Sequence, residues 1–306
     1  MPIKIPQSLP AAEILDNENI FIMDEARAVA QDIRPLKIAI LNLMPAKEVT
    51  ETQLLRLLSN TPLQIDVQLL TTATYQPTHT DKSHLVSFYK TFDEVKRTKF
   101  DGLIITGAPV ERLEFDNIDY WDELCNVMDW ANKNVFSTLY VCWGAFAGLY
   151  HNCQIEKRPL EKKISGIFNH RTLIPSDPLV RGFDECFAAP HSRYSYISEE
   201  DILNNKNLKL LAVSDGAGVY LAASKNCRQV YVTGHPEYDA ETLKLEYERD
   251  LSKGLDIEMP VNYFPGDDIC NNPSNTWRSH SHLLYSNWLN YYVYQITPYN
   301  IEEIGK

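Results

Sequence analysis

The chain has 306 residues, 44% of them apolar, with 29 Lys and Arg against 41 Asp and Glu, a formal net charge of −12. That apolar share suffices for a full core and argues against disorder, and the acidity argues against a nucleic-acid or membrane-surface partner while leaving room for a local basic pocket. The six cysteines (125, 142, 153, 186, 227, 270) form no Cys-x-x-Cys pair, Met1–Pro6 carries no signal-like apolar stretch and no run approaches a membrane span, so the expectation is a cytoplasmic protein with reduced thiols.

Residues 1–35 read as an irregular arm with a short helix near Asp24–Asp32. Lys37–Leu43 is a first buried strand, broken by Met44-Pro45-Ala46-Lys47. Thr50–Ser59 reads as a helix with Leu54, Leu55, Leu57 and Leu58 on its apolar face, and Thr50 and Gln53 have capping-box spacing. Gln64–Leu70 alternates as a strand, Ser83–Thr98 reads as a helix, and Phe100–Thr106 is a buried strand closed by Gly107-Ala108-Pro109. Tyr120–Asn134 has Trp121, Leu124, Met128 and Ala131 at helical spacing. The alternation predicts a doubly wound, mostly parallel α/β sheet, in which ligands bind beyond the carboxyl ends of the strands. Lys47, Pro109–Glu111 and Cys142 fall at such ends.

After about residue 185 the rhythm changes. Glu185–Ala189, Lys209–Ser214, Gly218–Ala223 and Gln229–Thr233 read as short strands of a mixed or antiparallel extension. Asp239–Lys253 is a helix, 256–276 a loop and Ser281–Tyr294 an aromatic closing helix. With no repeat and no linker, one domain spans 1–306: the arm 1–35, a catalytic core 36–255, and a C-terminal loop and helix 256–306.

Val135–Val141 is apolar and β-branched, and Ala145–Tyr150 suits a packed helix; Cys142 lies between them with Gly144 two residues on. A strand that turns at once into a helix leaves the turn residue exposed at the sheet edge in a strained backbone, with the helix dipole favouring thiolate over thiol. A random Cys is more often a buried structural one, but this context favours a nucleophile. A nucleophilic Cys needs a base and the base an orienter. His235 follows a buried strand as Cys142 does, and Glu237 lies two residues beyond. The competing readings are a strand-end His bonded to a loop, and His191 as the base. His280-Ser281-His282 reads as helix capping and not as a metal site, and Trp121, Trp130, Trp277 and Trp288 read as packing.

In this order, Cys and then His-x-Glu, the chain resembles class I glutamine amidotransferases, which are flavodoxin-like. More closely it resembles the homoserine O-acyltransferases of methionine biosynthesis. The resemblance is carried by Ile40–Lys47, Ile105–Glu111, Val141–Ala145, Lys163–Phe168, Pro190–Tyr194 and Gly234–Tyr238. It implies that Cys142 takes the acyl group from an acyl-CoA, that His235 moves the proton and Glu237 orients it, and that the homoserine hydroxyl then accepts the acyl group. Arg249 is implied on the homoserine carboxylate, with Lys163 and Ser192 as further substrate contacts. Glu111 is implied to set acyl-CoA specificity, since succinyl-using members carry glycine there. The backbone N–H of Trp143 stands where an oxyanion donor belongs, and Lys47 is added as an anion or oxyanion contact. The expected substrates are L-homoserine and acetyl-CoA, with no bound cofactor or metal, no nucleic acid and no membrane partner; a homodimer is compatible. Rival readings are a succinyl-CoA-dependent acyltransferase, a glutaminase feeding a synthetase (no P-loop occurs in the chain), and a binding protein that has kept the fold.

Overall fold

Strand residues of this chain alternate between two cores. In Leu36–Leu41, Ile38 and Ile40 join a cluster with Leu54, Leu55, Leu139 and Trp288. Ala39 and Leu41 join the opposite cluster with Leu103, Leu124, Met128 and Phe146. A strand apolar on both faces must be covered on both faces. The computed structural model describes residues 3–6, 8–17, 22–23, 34–74, 80–298 and 300–305; the helix expected near Asp24–Asp32 lies outside them.

In chain order the described elements are β1 Ile3–Lys4, α1 Pro10–Asn17, β2 Ile22–Met23, β3 Leu36–Leu41, α2 Lys47–Leu58, β4 Ile65–Leu70, α3 Lys82–Phe88, β5 Tyr89–Lys90, α4 Phe92–Val95, β6 Phe100–Ile105, α5 Trp121–Asn134 and β7 Val135–Val141. There follow α6 Trp143–Cys153, β8 Arg158–Thr172, β9 Cys186–Tyr196, α7 Glu199–Asn204, β10 Leu208–Ser214, β11 Gly218–Ser224, β12 Gln229–Val232, α8 Thr242–Ser252 and α9 Arg278–Asn287, which runs on into π-helical turns at Trp288–Tyr294. Among the described residues they build one twelve-stranded sheet, ordered β2-β1-β4-β3-β6-β7-β12-β11-β10-β8-β9 with β5 beside β4. Pairing is parallel from β2 to β12 and antiparallel from β12 to β9. This is the expected parallel α/β sheet with its antiparallel extension.

Several expectations need correction. Ser83–Thr98 is not one helix: α3 ends at Phe88, β5 intervenes and α4 restarts at Phe92. Glu94 closes that restart by accepting hydrogen bonds from the backbone N–H and hydroxyl of Thr91, at 2.7 and 2.8 Å. Thr50 and Gln53 do not cap a helix, because α2 already begins at Lys47 and Thr50 lies inside it. The fifteen-residue β8 has no counterpart among the expected strands, and β9 runs on to Tyr196, beyond the expected Ala189. His280 and His282 lie inside α9 and do not cap it. The four tryptophans pack as expected, each 8% exposed or less. Among the described residues no helix is long and apolar enough to cross a membrane.

Candidate active site

β7 ends at Val141 and α6 begins at Trp143, so the whole turn falls on Cys142, at φ 50° and ψ −116°. A non-glycine residue in this region is strained and is held there only by its surroundings. Its N–H donates to Val232 O at 2.7 Å and its carbonyl accepts from Ala145 N at 2.9 Å. Gly144 lets α6 start this close to β6: a Cβ there would stand 2.7 Å from Thr106 O and 2.8 Å from Ile105 O. The Trp143 side chain is fully buried beside Phe115 and Tyr120, so only its backbone N–H, at the first turn of α6, remains for an oxyanion.

The base comes from the neighbouring strand. β12 runs parallel to β7 with Val232 opposite Val141, so the residues after both strands emerge at one edge. The His235 N–H donates to Pro190 O at 2.9 Å, and His235 Nδ1 lies 2.7 Å from Glu237 Oε1. Gly107 packs against both partners: a Cβ on it would lie 3.3 Å from Cys142 Cβ and 3.6 Å from His235 Cε1. Burial works against protonated His235, but the charges of Cys142 and Glu237 and their hydrogen bonds outweigh it and raise its pKa well above 6.5.

One cleft of about 770 Å³ unites Cys142 and His235 with Glu111, Lys163, Ser192 and Arg249. Lys163 Nζ donates to Asp250 Oδ2 at 2.9 Å, while Arg249 Nε and Nη2 donate to Asp250 Oδ1 at 2.9 and 2.7 Å. The shared carboxylate therefore sets two cations side by side on the cleft wall. Burial works against ionised Asp250, yet the two cations hold its pKa below the usual range. The Ser192 hydroxyl donates to Glu246. Glu111 feels burial first, which raises its pKa, partly countered by its own backbone N–H, His235 and Lys163. Its carbonyl is held by Lys157 Nζ at 2.8 Å and Ser195 Oγ at 3.2 Å.

The structure does not bring Lys47 to this wall. Its ammonium donates to the Asn42 carbonyl and lies 5.3 Å from the centre of the Tyr89 ring, lining a small neighbouring cavity that shares Met44 with the cleft. Burial drives its pKa down to about 8 against the pull of Glu51. His191 is also removed from the cleft, fully buried between His170 and Arg193. Sequence reasoning missed Tyr238, Glu246 and Asp250. The available signal was the spacing of Glu246, Arg249 and Asp250, which puts all three on one face of α8.

The sequence model of the homoserine O-succinyltransferase family matches residues 2–299. A homoserine O-acetyltransferase of Acetivibrio thermocellus is 59% identical over 304 residues, covering 99% of this chain and 100% of that protein. One of Petrotoga mobilis is 60% identical over 306 residues, covering 100% and 99%. Among solved structures, a glutamine amidotransferase of Thermotoga maritima aligns with a TM-score of 0.57 at 10% identity, over 84% of this chain and 98% of that one. Another, from Methylobacillus flagellatus, aligns at 0.51 and 9%, over 84% and 95%. At such identities these two speak for the fold alone.

Proposed function

The chain belongs to the homoserine O-succinyltransferase family and is an acyltransferase of homoserine, and we propose that it carries an acetyl group from acetyl-CoA to the homoserine hydroxyl through an acyl-thioester on Cys142. One observation carries this reading: a single cleft joins Cys142 and His235, the latter bonded to Glu237, to the cations Lys163 and Arg249 and to the carboxylates Glu111 and Glu246. Homoserine has a carboxylate, an ammonium and a nucleophilic hydroxyl, so it needs both signs of charge beside a transferable acyl group. Cys142 gives its proton to His235 and attacks the thioester carbonyl; the bond from carbon to the CoA sulfur breaks and CoA leaves as the thiol with that proton. His235 then takes the hydroxyl proton, the alkoxide attacks the acyl-enzyme, and Cys142 leaves as thiolate. The Trp143 N–H is the proposed donor to the oxyanion. Arg249, paired with Asp250, is the proposed partner of the homoserine carboxylate.

Acetyl is preferred over succinyl on two grounds. The relatives 55–60% identical over nearly the whole chain are named homoserine O-acetyltransferases, and Glu111 sets a carboxylate where a succinyl group would carry its own. The family's name favours the succinyl reading. The product, O-acetyl-L-homoserine, suits methionine biosynthesis, and six free cysteines suit a cytoplasmic enzyme.

The test is purified protein with homoserine and either acetyl-CoA or succinyl-CoA, with mass analysis of the product. Acetyl-CoA alone should add one acetyl mass to Cys142, and Cys142→Ala should abolish transfer. An adduct elsewhere, or full activity in Cys142→Ala, sinks the mechanism. Glutamate release from glutamine without homoserine-dependent CoA release would instead favour a glutaminase.

A further inference from the structure

The chain carries a formal net charge of −12, yet the cations Arg112, Lys163, Arg249 and Lys253 all line the cleft. Two of them are already engaged. Asp250 holds Lys163 and Arg249, and Glu246 stands 3.8 Å from Lys163. Homoserine, which those groups are proposed to bind, is a zwitterion and takes one group of each sign. Arg112 and Lys253 are left over. Both are exposed, and among the described residues neither makes an ion pair. Their setting is ordered all the same. The Arg112 guanidinium lies 3.9 Å from the centre of the Tyr194 ring, and the Lys163 ammonium lies 5.8 Å from the same centre. A guanidinium stacked on an aromatic face keeps its N–H edge free for an anion. Lys253 closes α8 one turn beyond Arg249, its N–H donating to Arg249 O at 3.2 Å, so it stands on the Arg249 side of the helix.

The rest of the lining is apolar where these cations stand. Leu113 is 45% and Leu255 40% exposed, and both line the cleft. Leu113 follows Arg112, and the turn that carries both is closed by Leu113 N donating to Val110 O at 3.0 Å. Leu255 follows Lys253 across Gly254, and its N–H donates to Asp250 O at 3.2 Å. Each spare cation thus comes with an exposed leucine. An annex of about 150 Å³ extends the apolar surface, sharing Pro45, Pro109, Val110 and Leu113 with the cleft.

We infer that Arg112 and Lys253 bind the phosphate groups of the acyl-CoA donor, with Leu113 and Leu255 against its pantetheine arm. The inference rests on the acyl-CoA reading of this cleft, though not on which acyl group is carried. A CoA thioester has the matching sequence of groups: the reacting carbonyl, a largely apolar arm, then a diphosphate and a 3′-phosphate. Cys142 takes the first. The exposed leucines suit the second. The surplus positive charge suits the third, since a stacked guanidinium meets phosphate oxygens in pairs and an ammonium meets them as a point charge. Homoserine, with no net charge, leaves that surplus unused. In an acidic protein the same two cations also give the anionic donor a local point of attraction.

The experiment is calorimetric titration of CoA and of pantetheine, which has the same thiol and arm but no phosphate, into wild type, Arg112→Gln and Lys253→Gln. At low salt wild type should bind CoA roughly tenfold more tightly than pantetheine. Raising the salt should shrink that margin while pantetheine binding holds. Each variant should cut the margin by about threefold to tenfold. Arg171→Gln removes the same charge from an exposed position outside the cleft and should keep the full margin, which separates local contact from the field of the whole protein. A variant that merely disturbs the cleft weakens both ligands alike and leaves the margin in place. Equal affinity of wild type for CoA and pantetheine, or a full margin in either folded variant, overturns the inference; if one variant fails to fold, the other decides. The titration involves no transfer, so a failure of the acyltransferase reading is seen separately, as missing acyl-homoserine in the product assay.

Discussion

At Cys142 the backbone is held in a conformation that costs a side-chain-bearing residue on the order of 1–3 kcal/mol, and its neighbours are chosen to keep it there. That choice was legible in the sequence, because Cys142 and His235 each end an apolar run and Gly144 follows at the right distance. Glu246 was not legible, since it meets Ser192 and Tyr238 only when α8 folds over the cleft, and nothing in the local sequence marks Tyr238, three residues after His235, as the ring that stacks on the base. Glu111 was legible only through the family resemblance; on its own it is a loop carboxylate beside Arg112. In the structure it shares the cleft with Cys142, while its carbonyl is pinned by Lys157 and Ser195. Replacing it by glycine should therefore remove the charge and leave the loop in place. Two carboxylates a few ångströms apart repel by about 2–4 kcal/mol at an effective dielectric near 20, less in a partly open cleft. Glu111→Gly should shift the ratio of kcat/KM for acetyl-CoA over succinyl-CoA towards succinyl by roughly tenfold to a hundredfold. The two kcat/KM values in both proteins measure it, and an unchanged ratio puts Glu111 outside the acyl pocket.

Among the elements, those of the parallel half were legible and the β8–β9 ribbon was not. Strands buried on both faces are written as apolar runs, and the helices between them carry one apolar stripe. β8 is different. Among the described strands it pairs with β10 only at Arg171 and Thr172 and elsewhere with β9. Its outer half stays exposed, so it needs few apolar residues and reads as a charged loop. Yet it carries Lys163, and β9 carries Ser192 opposite Ser165. The loop 256–264 fastens this ribbon: Ile167 N donates to Val261 O at 2.8 Å and Val261 N to Ser165 O at 2.9 Å. Gly166 makes the crossing, at φ 139°, where a Cβ would meet Val261 O at 2.3 Å and its N at 2.4 Å. Both obstacles are backbone, so Gly166→Ala must push the loop off the ribbon. A loss of about 1–3 kcal/mol in a denaturant midpoint is expected. The Michaelis constant for homoserine should rise, while acylation of Cys142 by donor alone survives, because β7 and β12 are untouched. Loss of the acylation half-reaction would mean that the ribbon also supports the triad.

Across the whole molecule, the parallel half supplies nucleophile and base, the antiparallel half supplies Lys163 and Ser192, and a buried polar seam runs through the antiparallel half next to the triad. His170 on β8, His191 and Arg193 on β9 and Tyr220 on β11 form it. Arg193, 1% exposed, donates to the Ser195 and Ala217 carbonyls and, through Nε, to His191 Nδ1 at 3.2 Å. A nitrogen that accepts has no proton, so the His191 proton sits on Nε2 and is donated to His170 Nε2 at 2.9 Å. Protonating His170 at that atom would oppose two N–H groups. Burial first, and the Arg193 charge with it, holds His170 down to about 3 and His191 well below 6.5. The unfolded chain takes up these protons below about pH 6.5 and the folded chain does not. The seam's contribution is therefore fully present above that pH and declines as pH falls towards the folded value, at about 1.4 kcal/mol per unit for each histidine. Carboxylates titrate over part of the same range, so the informative quantity is a difference between proteins. Stability measured by denaturant unfolding from about pH 6 to 4.5 should fall less steeply in His170→Gln than in wild type, by about 1.4 kcal/mol per unit, whatever the variant's stability at neutral pH. Parallel curves would mean that the folded seam accepts a proton after all.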